Sequence, residues 1–391
     1  MRQSLRPFKS FHRQSGQRWV RHSTSNTKPR SGTPFDFLRD ISLKPPAGTW
    51  DIHNINSFYH VLKDHLALAA HHSIVRPGFQ QVSFNEFLRE RDLCVDGGDR
   101  RYAPGDEWKY RVWAGGSMTF YKAFINPSQR QLIFPSEKVS SVRVVGNPAD
   151  EDAKVFVTLT KMYHEAEFVP GSTNLLPIQD KEPIISEDKH LCFMRNIPSN
   201  LRSLDSLRKI PPPGERFHAQ TMKPTPALLF RFSALTSNDH RIHIDPDFTR
   251  REYGVPNLLV HGPLTAVLML EVLRKGHGLY TINRTHRLTV TGFDYKNLLP
   301  LFVNETITIA CKPSDIVSLR ELEHESEGRA TLERWDVWIQ KGDGENATVV
   351  ARGKAILAPT APQGKTVDWE DPDQEDDYET LDEQYHGLTQ Y

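Results

Sequence analysis

The chain has 391 residues, enough for two ordinary domains, and its formal net charge of zero gives no overall bias toward an acidic or a basic partner. Its three cysteines, Cys94, Cys192 and Cys311, lie far apart without a CxxC pair, so neither a disulfide framework nor a thiolate metal site is expected. The longest apolar run, Leu264–Leu273, is about half of the roughly 20 residues that cross a bilayer and contains Glu271, so no membrane span is expected.

The first 35 residues differ from the rest of the chain in charge. They contain eight Lys or Arg residues and no acid, and the arginines are interleaved with aromatic and aliphatic residues in a serine-rich setting. This composition is typical of a mitochondrial transit peptide, so residues 1–35 predict import into the mitochondrial matrix. A disordered basic arm, which could bind nucleic acid, is the alternative interpretation.

Acidic residues are concentrated at the C-terminal end of the chain. Residues 366–391 contain ten Asp or Glu residues and no Lys or Arg. Because like charges repel and few apolar residues are present to form a core, an acidic disordered tail is predicted there. The sequence leaves the role of this tail open.

Residues 50–195 predict the first of two domains. An apolar period near 3.6 predicts a helix over Ile55–Ala70. A polar, glycine-rich span follows, and then β-branched and aromatic runs with short turns predict an antiparallel sheet; these runs are SMTFYKAFI, QLIFP, SSVRVVGN and KVFVTLTKMYHE. Residues 196–214 include three consecutive prolines and predict a linker.

Residues 215–358 predict a second domain, in which helices come before most of the strands. Ala227–Leu235 predicts a strand, and Asp245-Pro246 predicts the capped start of a short helix. The apolar stretch from Pro263 predicts a long buried helix that ends at Gly276. Four strands follow, at HRLTVTGFDYKN, ETITIACKP, RWDVWIQKG and TVVARGKAIL. A long helix followed by a run of antiparallel strands indicates an α+β fold.

The segment TSNDHRIHIDP, residues 236–246, places two histidines between a polar turn and a helix cap. An imidazole titrates near neutral pH, so His243 can remove and return a proton. About 19 residues later, His261-Gly262 precedes the long helix, whose first backbone N–H groups can stabilise a developing oxyanion. Together these features suit proton chemistry beside a thioester carbonyl. A zinc site on His240 and His243 is not expected, because the sequence offers no third ligand of suitable spacing and no HExxH pattern.

FSALTSNDHRIHIDP followed by YGVPNLLVHGPL resembles the MaoC-like, R-specific hydratases and dehydratases of the hot-dog fold. RVWAGGSMTF and IISEDKHLCFMR are similar to the N-terminal half of the double-hot-dog branch, which holds fungal mitochondrial 3-hydroxyacyl-thioester dehydratases and mesaconyl-C4-CoA hydratase-like proteins. The resemblance covers roughly residues 50–358. It implies two curved antiparallel sheets that each wrap a central helix, a non-catalytic N-terminal half that shapes the acyl tunnel, and a catalytic C-terminal half.

The same resemblance implies roles for individual residues. Matching the family motif S-G-D-x-N-P-L-H onto TSNDHRIH makes His243 the catalytic histidine and places Asn238 at the family's aspartate. An amide is neither an acid nor a base, so Asn238 is expected to orient water or the substrate hydroxyl. Asp239 is the alternative if the loop shifts register. Gly262 matches the oxyanion-hole glycine of the family.

Other residues near these motifs have two interpretations. His261 and Asp245 are candidate supporting residues of the site, although Asp245, which proline follows, fits a helix N-cap better than a catalytic group. Trp113 and the pair Gly115-Gly116 either border the site or have a structural role. A structural role is favoured for them.

The implied reaction is the reversible dehydration of a (3R)-3-hydroxyacyl thioester to a trans-2-enoyl thioester in mitochondrial type II fatty acid synthesis. No metal and no organic cofactor is expected, because the thioester itself acidifies C2. An acyl-carrier-protein thioester is the expected substrate, and a coenzyme A thioester, either mesaconyl-C4-CoA or a short-chain enoyl-CoA, is the alternative. Neither a nucleic-acid nor a membrane partner is expected. The chain is expected to be a monomer, with the double hot-dog as a pseudo-dimer, or a homodimer.

Two interpretations from other classes stay open. A hot-dog thioesterase would use a carboxylate on the central helix, where Glu271 is the only acid and lies near the far end from Gly262. A non-catalytic acyl-binding protein is compatible with the replacement of the family's aspartate by Asn238. The products formed from an enoyl thioester distinguish these classes.

The leader generates the first prediction. We expect the mature mitochondrial protein to begin between residues 21 and 35, because a transit peptide of this composition is removed after import. Mass spectrometry of the N-terminal peptide from protein purified out of mitochondria measures this directly. A mature mitochondrial protein that still begins at Met1 would contradict the prediction.

Overall fold

The computed structural model describes residues 33–68, 75–122, 131–197, 209–280, 288–318 and 331–359. The first 32 residues of the predicted leader, residues 198–208 of the predicted linker and the predicted acidic tail lie outside the described residues. None of the helices in the described ranges is long and apolar enough to cross a membrane.

One sheet of twelve strands runs through the molecule, and the strand pairs that the structure describes are antiparallel. The strands are β1 (Ser42–Leu43), β2 (Gly48–Thr49), β3 (Tyr110–Phe120), β4 (Leu132–Val145), β5 (Lys154–Phe168), β6 (Leu175–Pro177), β7 (Ile185–Met194), β8 (His218–Met222), β9 (Leu288–Asn297), β10 (Ile307–Ser318), β11 (Thr331–Lys341) and β12 (Thr348–Pro359). Their order is β1-β4-β5-β7-β3-β9-β12-β11-β10-β8, with β2 beside β4 and β6 beside β5. The predicted α+β double hot-dog class is confirmed, because each half of the chain supplies one half of the sheet.

The two halves of the sheet meet where β3 pairs with β9. Gly116 lies opposite Tyr295 and Ser117 opposite Asp294 in this pairing. A Cβ atom at Gly115 would lie 2.2 Å from the Tyr295 carbonyl oxygen, so the two strands can approach only because no side chain is present there. This contact agrees with the structural role favoured for the glycine pair.

Four α-helices accompany the sheet in the described residues: α1 (Ile52–Lys63), α2 (Pro226–Thr236), α3 (Pro246–Phe248) and α4 (Gly262–Tyr280). The first three begin at side-chain caps, in which Asp51, Thr225 and Asp245 accept a backbone N–H hydrogen bond from the third residue after them. These polar residues stop each helix from extending backwards and so fix where the chain enters it.

Helix α4 lies at the centre of the main hydrophobic core. Its buried apolar residues occur on every face of the helix; they are Leu264, Ala266, Val267, Leu268, Met269, Leu270, Val272 and Leu273. Phe58 and Leu62 of α1 belong to the same cluster, so one core is built from both halves of the chain. Each fully buried side chain of this size contributes about 1.5 to 3 kcal/mol, which makes α4 the main packing element of the fold.

The predicted strand over Ala227–Leu235 is wrong, because this stretch lies within α2. Thr225 accepts a hydrogen bond from the Leu228 N–H at 3.1 Å, and Pro226 takes the first helical position, where no N–H is needed. Ser237 ends the helix in a left-handed conformation. A short apolar run fits the period of a strand as well as that of a buried helix. The cap at Thr225, and not the apolar pattern, therefore distinguishes a helix from a strand here.

The predicted end of the long helix at Gly276 is also wrong, because α4 continues to Tyr280. Gly276 acts as a packing residue instead of a helix terminator. A Cβ atom at this position would lie 2.7 Å from Cys311 Sγ and 3.0 Å from His218 Cβ, so the missing side chain lets α4 approach β10 and β8. Sequence alone does not separate these two uses of glycine.

Smaller differences concern the N-terminal half. The helix predicted over Ile55–Ala70 begins earlier, at Ile52, and ends at Lys63, while Ala70 lies outside the described residues. The two runs QLIFP and SSVRVVGN form one strand, β4, whose pairing with β5 shifts register between Val139 and Ser141. The four strands predicted at the end of the chain are confirmed as β9 to β12.

Two glycines of α4 allow a matched stability test. Gly276→Ala is expected to lower the free energy of unfolding by about 1 to 3 kcal/mol, because its new methyl group collides with Cys311 and His218. Gly278→Ala, in the same helix with nothing within 4 Å of its Cβ position, is expected to raise that free energy by about 0.4 to 1 kcal/mol. Urea denaturation followed by circular dichroism compares the two, and equal shifts in the midpoint would contradict the packing role of Gly276.

Candidate active site

The loop between α2 and α3 carries the candidate catalytic residues. The Asn238 N–H donates to the Ser233 carbonyl at 3.0 Å, and the Asn238 side-chain oxygen accepts the His240 N–H at 3.1 Å. The Arg241 N–H donates to the carbonyl of Asp96, which belongs to the N-terminal half, at 2.7 Å. The loop is therefore held at Asn238 by its own turn and at Arg241 by the N-terminal half of the chain.

The ring of His243 is held in one orientation and one tautomer. Its Nδ1 lies 2.7 Å from the carbonyl oxygen of Leu259, and because a carbonyl only accepts, Nδ1 carries the proton. Nε2 is then the basic nitrogen. Burial, with the nearby His240 and Arg111, lowers the pKa of His243 to about 3, so the ring is neutral at physiological pH.

His261 supports the His243 ring from one face. The two rings stack with their centroids 3.6 Å apart and their planes 21° from parallel. The Nε2 of His261 lies 2.9 Å from the Ser233 hydroxyl, and the whole residue is buried. Burial, with the neighbouring His243 and His240, holds the pKa of His261 far below its ordinary value. A neutral ring can stack this closely, whereas two charged imidazoles would repel each other.

Gly262 lies at the first turn of α4, beside residues from the seam of the sheet. A Cβ atom there would lie 2.7 Å from the Cβ and Cγ atoms of Trp113 and 2.8 Å from Asn297 Nδ2. The side-chain amide of Asn297 donates to the Trp113 carbonyl at 3.0 Å, and its oxygen accepts the Thr265 hydroxyl at 2.7 Å. These contacts fill the Cβ side of Gly262, and the first N–H groups of α4 have no intrahelical acceptor.

A cavity of about 370 Å³ joins these groups. Asn238, His243 and Gly262 line it from the C-terminal half, and Arg111 and Trp113 line it from the N-terminal half. The structure therefore brings together the three principal residues that the sequence singled out. It also places Trp113 at the border of the cavity, whereas the sequence favoured a purely structural role for this residue.

Two acids of the motif have different positions. Asp245 accepts the Phe248 N–H at 2.9 Å and pairs with Arg241, at 2.6 Å, so it caps α3 as expected and does not line the cavity. Asp239 is exposed, and it lines the cavity without a hydrogen bond to either histidine. The side chain of Asn238 is half-buried and held by the His240 backbone N–H, whereas Asp239 is exposed.

Asp96 is a site residue that the sequence reasoning missed. Its carboxylate lies 3.1 Å from His240 Nε2, and the hydroxyl of Tyr253 lies 3.2 Å from the same nitrogen. Although burial raises it, the hydrogen bond from His240 and the charge of Arg111 bring the pKa of Asp96 well below its usual range. Asp96 precedes Gly97-Gly98 in a polar turn, which is a local pattern that gives no sign of a partner so distant in the chain.

No group of three His, Cys, Asp or Glu side chains in the described part of the chain is arranged to hold a metal ion. The rings of His240 and His243 are nearly perpendicular, with centroids 5.5 Å apart. One nitrogen of each ring is held by a hydrogen bond given above, Nε2 in His240 and Nδ1 in His243. The arrangement is that of a neutral base beside a helix N-terminus.

Comparison with known proteins gives a hydratase and a dehydratase as relatives. The mesaconyl-C4-CoA hydratase of Chloroflexus aurantiacus is 41% identical over 228 residues, which cover 58% of this chain and 70% of that protein. The mitochondrial hydroxyacyl-thioester dehydratase type 2 of Schizosaccharomyces pombe is 26% identical over 246 residues, which cover 60% of this chain and 77% of that protein.

Solved structures with a similar backbone fold include two MaoC-like proteins. A putative MaoC-domain dehydratase from Chloroflexus aurantiacus has a TM-score of 0.48 at 12% identity, covering 86% of this chain and 100% of that one. A MaoC-like dehydratase from Phytophthora capsici has a TM-score of 0.44 at 12% identity, covering 82% of this chain and 96% of that one.

The family model for hydroxyacyl-thioester dehydratase type 2 matches residues 78–303. This range is more than half of the chain and includes Asn238, His243 and Gly262, together with Asp96 from the N-terminal half. The chain therefore belongs to the hydroxyacyl-thioester dehydratase type 2 family and is a hydro-lyase.

Proposed function

We propose that the chain interconverts a (3R)-3-hydroxyacyl thioester with the trans-2-enoyl thioester and water, using His243 as the base. One observation carries this proposal: the neutral imidazole of His243, with its Nδ1 bound to the Leu259 carbonyl, lines the same cavity as Gly262 at the start of α4. A base and an oxyanion site in one cavity are what proton abstraction next to a thioester carbonyl requires.

His243 acts through Nε2. In dehydration Nε2 takes the proton from C2, the electron pair moves toward the carbonyl, and the C3–O bond then breaks as the same proton passes to the leaving hydroxyl. In hydration Nε2 takes a proton from water, the oxygen adds to C3, and the proton is delivered to C2. The resting ring is neutral in both directions, which agrees with the lowered pKa of His243.

Asn238 positions the oxygen that leaves or attacks. Its side-chain oxygen is occupied by the His240 N–H, so its NH₂ group is the part free to point at a ligand, and it can donate to a hydroxyl or a water. An amide can hold this oxygen but cannot exchange a proton with it. The proposal therefore assigns both proton transfers to His243.

Gly262 stabilises the carbonyl oxygen of the thioester when it becomes an enolate. The backbone N–H groups at the start of α4 supply partial positive charge at the part of the cavity that Gly262 lines. Trp113 packs against the same glycine and closes the cavity on that side. Preorganised donors in a site that excludes water are stronger than the same donors in solution.

Asp96 positions the catalytic loop. Its carboxylate binds the His240 ring, and its backbone carbonyl accepts the Arg241 N–H. These two contacts hold the residues just before His243. The N-terminal domain, proposed as residues 50–195, thus contributes to the site without touching the reacting atoms. The catalytic domain is proposed as residues 215–358.

We propose a mitochondrial setting and a thioester on an acyl-carrier protein or on coenzyme A. The basic leader and the name of the mitochondrial relative in Schizosaccharomyces pombe support the setting. The fatty acyl substrates of mitochondrial fatty acid synthesis and a mesaconyl-C4-CoA-type substrate, as in the name of the Chloroflexus relative, contain the same reacting unit. They differ at the end of the acyl group that lies away from His243.

The geometry does not favour the thioesterase alternative. Glu271, the carboxylate that such a mechanism would need, is completely buried and lies 2.5 Å from the guanidinium of Arg76. Glu271 is absent from the cavity wall that holds His243 and Gly262. A paired carboxylate nine residues along the helix, about 14 Å from its first turn, cannot reach a thioester bound at the start of α4.

Substitution of the base tests the reaction. His243→Ala is expected to lower kcat/KM for hydration of crotonyl-CoA at least 10²-fold, because it removes the group that transfers both protons. Loss of absorbance of the enoyl thioester measures the rate, and circular dichroism checks the fold. His53→Ala, on an exposed face of α1, is the matched control and is expected to leave the rate unchanged. Near-normal turnover by His243→Ala would remove this residue from the mechanism.

The low pKa of His243 gives a separate prediction. Since the neutral form is the active one and the pKa lies near 3, kcat/KM is expected to change less than about twofold between pH 7.5 and pH 5.5. An ordinary histidine would lose activity below a pKa of about 6.5. The pH profile of crotonyl-CoA hydration measures this, and a tenfold fall per pH unit below 6.5 would show that His243 titrates normally.

A further inference from the structure

The backbone pairing between β3 and β9 ends just before Asn297, a residue that lines the cavity. The last pair is Gly115 opposite Lys296, and the register of β3 against β7 shifts between Trp113 and Gly115, which marks a bulge. The backbone of Asn297 is instead paired with Ala351 of β12. At this end of the junction, the side chain of Asn297 therefore makes the contact to β3 that a backbone pair makes elsewhere.

The side chain of Asn297 joins three elements of the fold. Its amide nitrogen donates to the Trp113 carbonyl of β3 at 3.0 Å, and its oxygen accepts the Thr265 hydroxyl of α4 at 2.7 Å. The same hydroxyl lies 2.6 Å from the carbonyl oxygen of Gly262. A hydroxyl has one hydrogen to donate, so the two oxygens share it. Gly262, Thr265 and Asn297 therefore form one hydrogen-bonded group that is tied to β3.

Direct packing adds to these hydrogen bonds. A Cβ atom at Gly262 would lie 2.8 Å from Asn297 Nδ2 and 2.7 Å from the Cβ and Cγ atoms of Trp113, so the backbone of Gly262 packs closely against both side chains. Trp113 is held from β9 as well, because its indole N–H donates to the Tyr295 hydroxyl at 2.9 Å. Residues of β9 thus fix both side chains that contact the first turn of α4.

The hydrogen-bonded group lies in the wall of the reaction cavity. Asn297 and Thr265 line the same cavity as His243 and Gly262, with Asn297 half-buried and Thr265 buried. Because both ends of the Asn297 amide are bound to other residues, the arrangement is set before a ligand enters. Donors that are fixed in advance stabilise a developing charge without having to reorganise during the reaction.

We propose that Asn297 is a positioning residue for the reaction, which sets where the first N–H groups of α4 meet the carbonyl oxygen of the thioester. This inference rests on the proposed function for the place of that oxygen. Asn297 acts through Gly262 and Thr265 and takes no part in proton transfer. A misplacement of about 1 Å in an active site can lower a rate about 10²-fold, so the loss of this link is measurable.

Steady-state hydration of crotonyl-CoA by the full chain is the first test. Asn297→Ala is expected to lower kcat about 10- to 100-fold and to change KM less than about threefold, because stabilisation of the developing charge is made mainly in the transition state. Asn346→Ala removes the side chain of an exposed asparagine and is expected to leave both constants unchanged. Circular dichroism checks the fold of each variant.

Polarisation of the bound carbonyl is a second readout, which a merely structural role would not move. Butyryl-CoA contains the same thioester without a double bond to hydrate, and isotope-edited infrared spectroscopy measures its carbonyl stretching frequency. Binding to the unaltered chain is expected to lower this frequency, because hydrogen bonds to the oxygen weaken the C=O bond. His243→Ala is expected to keep the shift, and Asn297→Ala is expected to lose at least half of it.

Thr265 provides a matched pair of variants at the other end of the link. Thr265→Val keeps the shape of the side chain but loses the hydroxyl, whereas Thr265→Ser keeps the hydroxyl. Thr265→Val is expected to follow Asn297→Ala in kcat and in carbonyl frequency, and Thr265→Ser is expected to stay close to the unaltered chain. If Asn297→Ala does not fold, this pair decides, and equal behaviour of the two variants overturns the inference.

The two proposals fail in different ways. An unchanged kcat in Asn297→Ala, a loss that is seen only in KM, or a lower kcat with an unchanged carbonyl frequency would overturn the positioning role of Asn297 and leave the proposed reaction intact. A frequency shift that depends on Asn297, in a chain that does not hydrate crotonyl-CoA, contradicts the proposed reaction alone.

Discussion

Backbone pairing between β3 and β9 joins two half-sheets into one, and the site exists only because they are joined. The pairing brings Trp113, at the start of the β3 segment that meets β9, against Gly262 at the start of α4. It also brings Asp96 within hydrogen-bond distance of His240. A ligand cavity at the junction of two packed units is a common arrangement, because each unit can supply a different chemical function.

Within this junction the chemistry depends on burial. Exposed imidazoles would be partly protonated near neutral pH, whereas the buried His243 and His261 stay neutral and stack face to face. The hydrogen bond to the Leu259 carbonyl then decides which nitrogen is the base. Of the three histidines of the site, His240 is bound to Asp96 through its Nε2. In His243 the hydrogen bond at Nδ1 leaves Nε2 as the basic nitrogen.

Both halves of the sheet bury charged side chains beside the shared apolar core. The C-terminal half buries α4, whose apolar side chains stabilise the fold and whose first turn carries the proposed oxyanion site. The N-terminal half buries Lys161 and Glu187, which lie opposite each other on β5 and β7. Stability that comes mainly from the shared apolar core allows part of the cavity to keep groups that would otherwise be costly to bury.

The sequence by itself determined the features that depend on local patterns: the α+β class, the four final strands, the cap at Asp245 and the grouping of Asn238, His243 and Gly262, because periods, caps and short motifs are written in neighbouring residues. The local cap at Thr225-Pro226 marks 227–235 as a helix, whereas only the tertiary structure decided that Gly276 packs instead of ending one. It alone joined Asp96 to the loop that carries His243 and brought Lys161 beside Glu187. These features arise from contacts between residues distant in the chain, and no local pattern specifies which strands will meet.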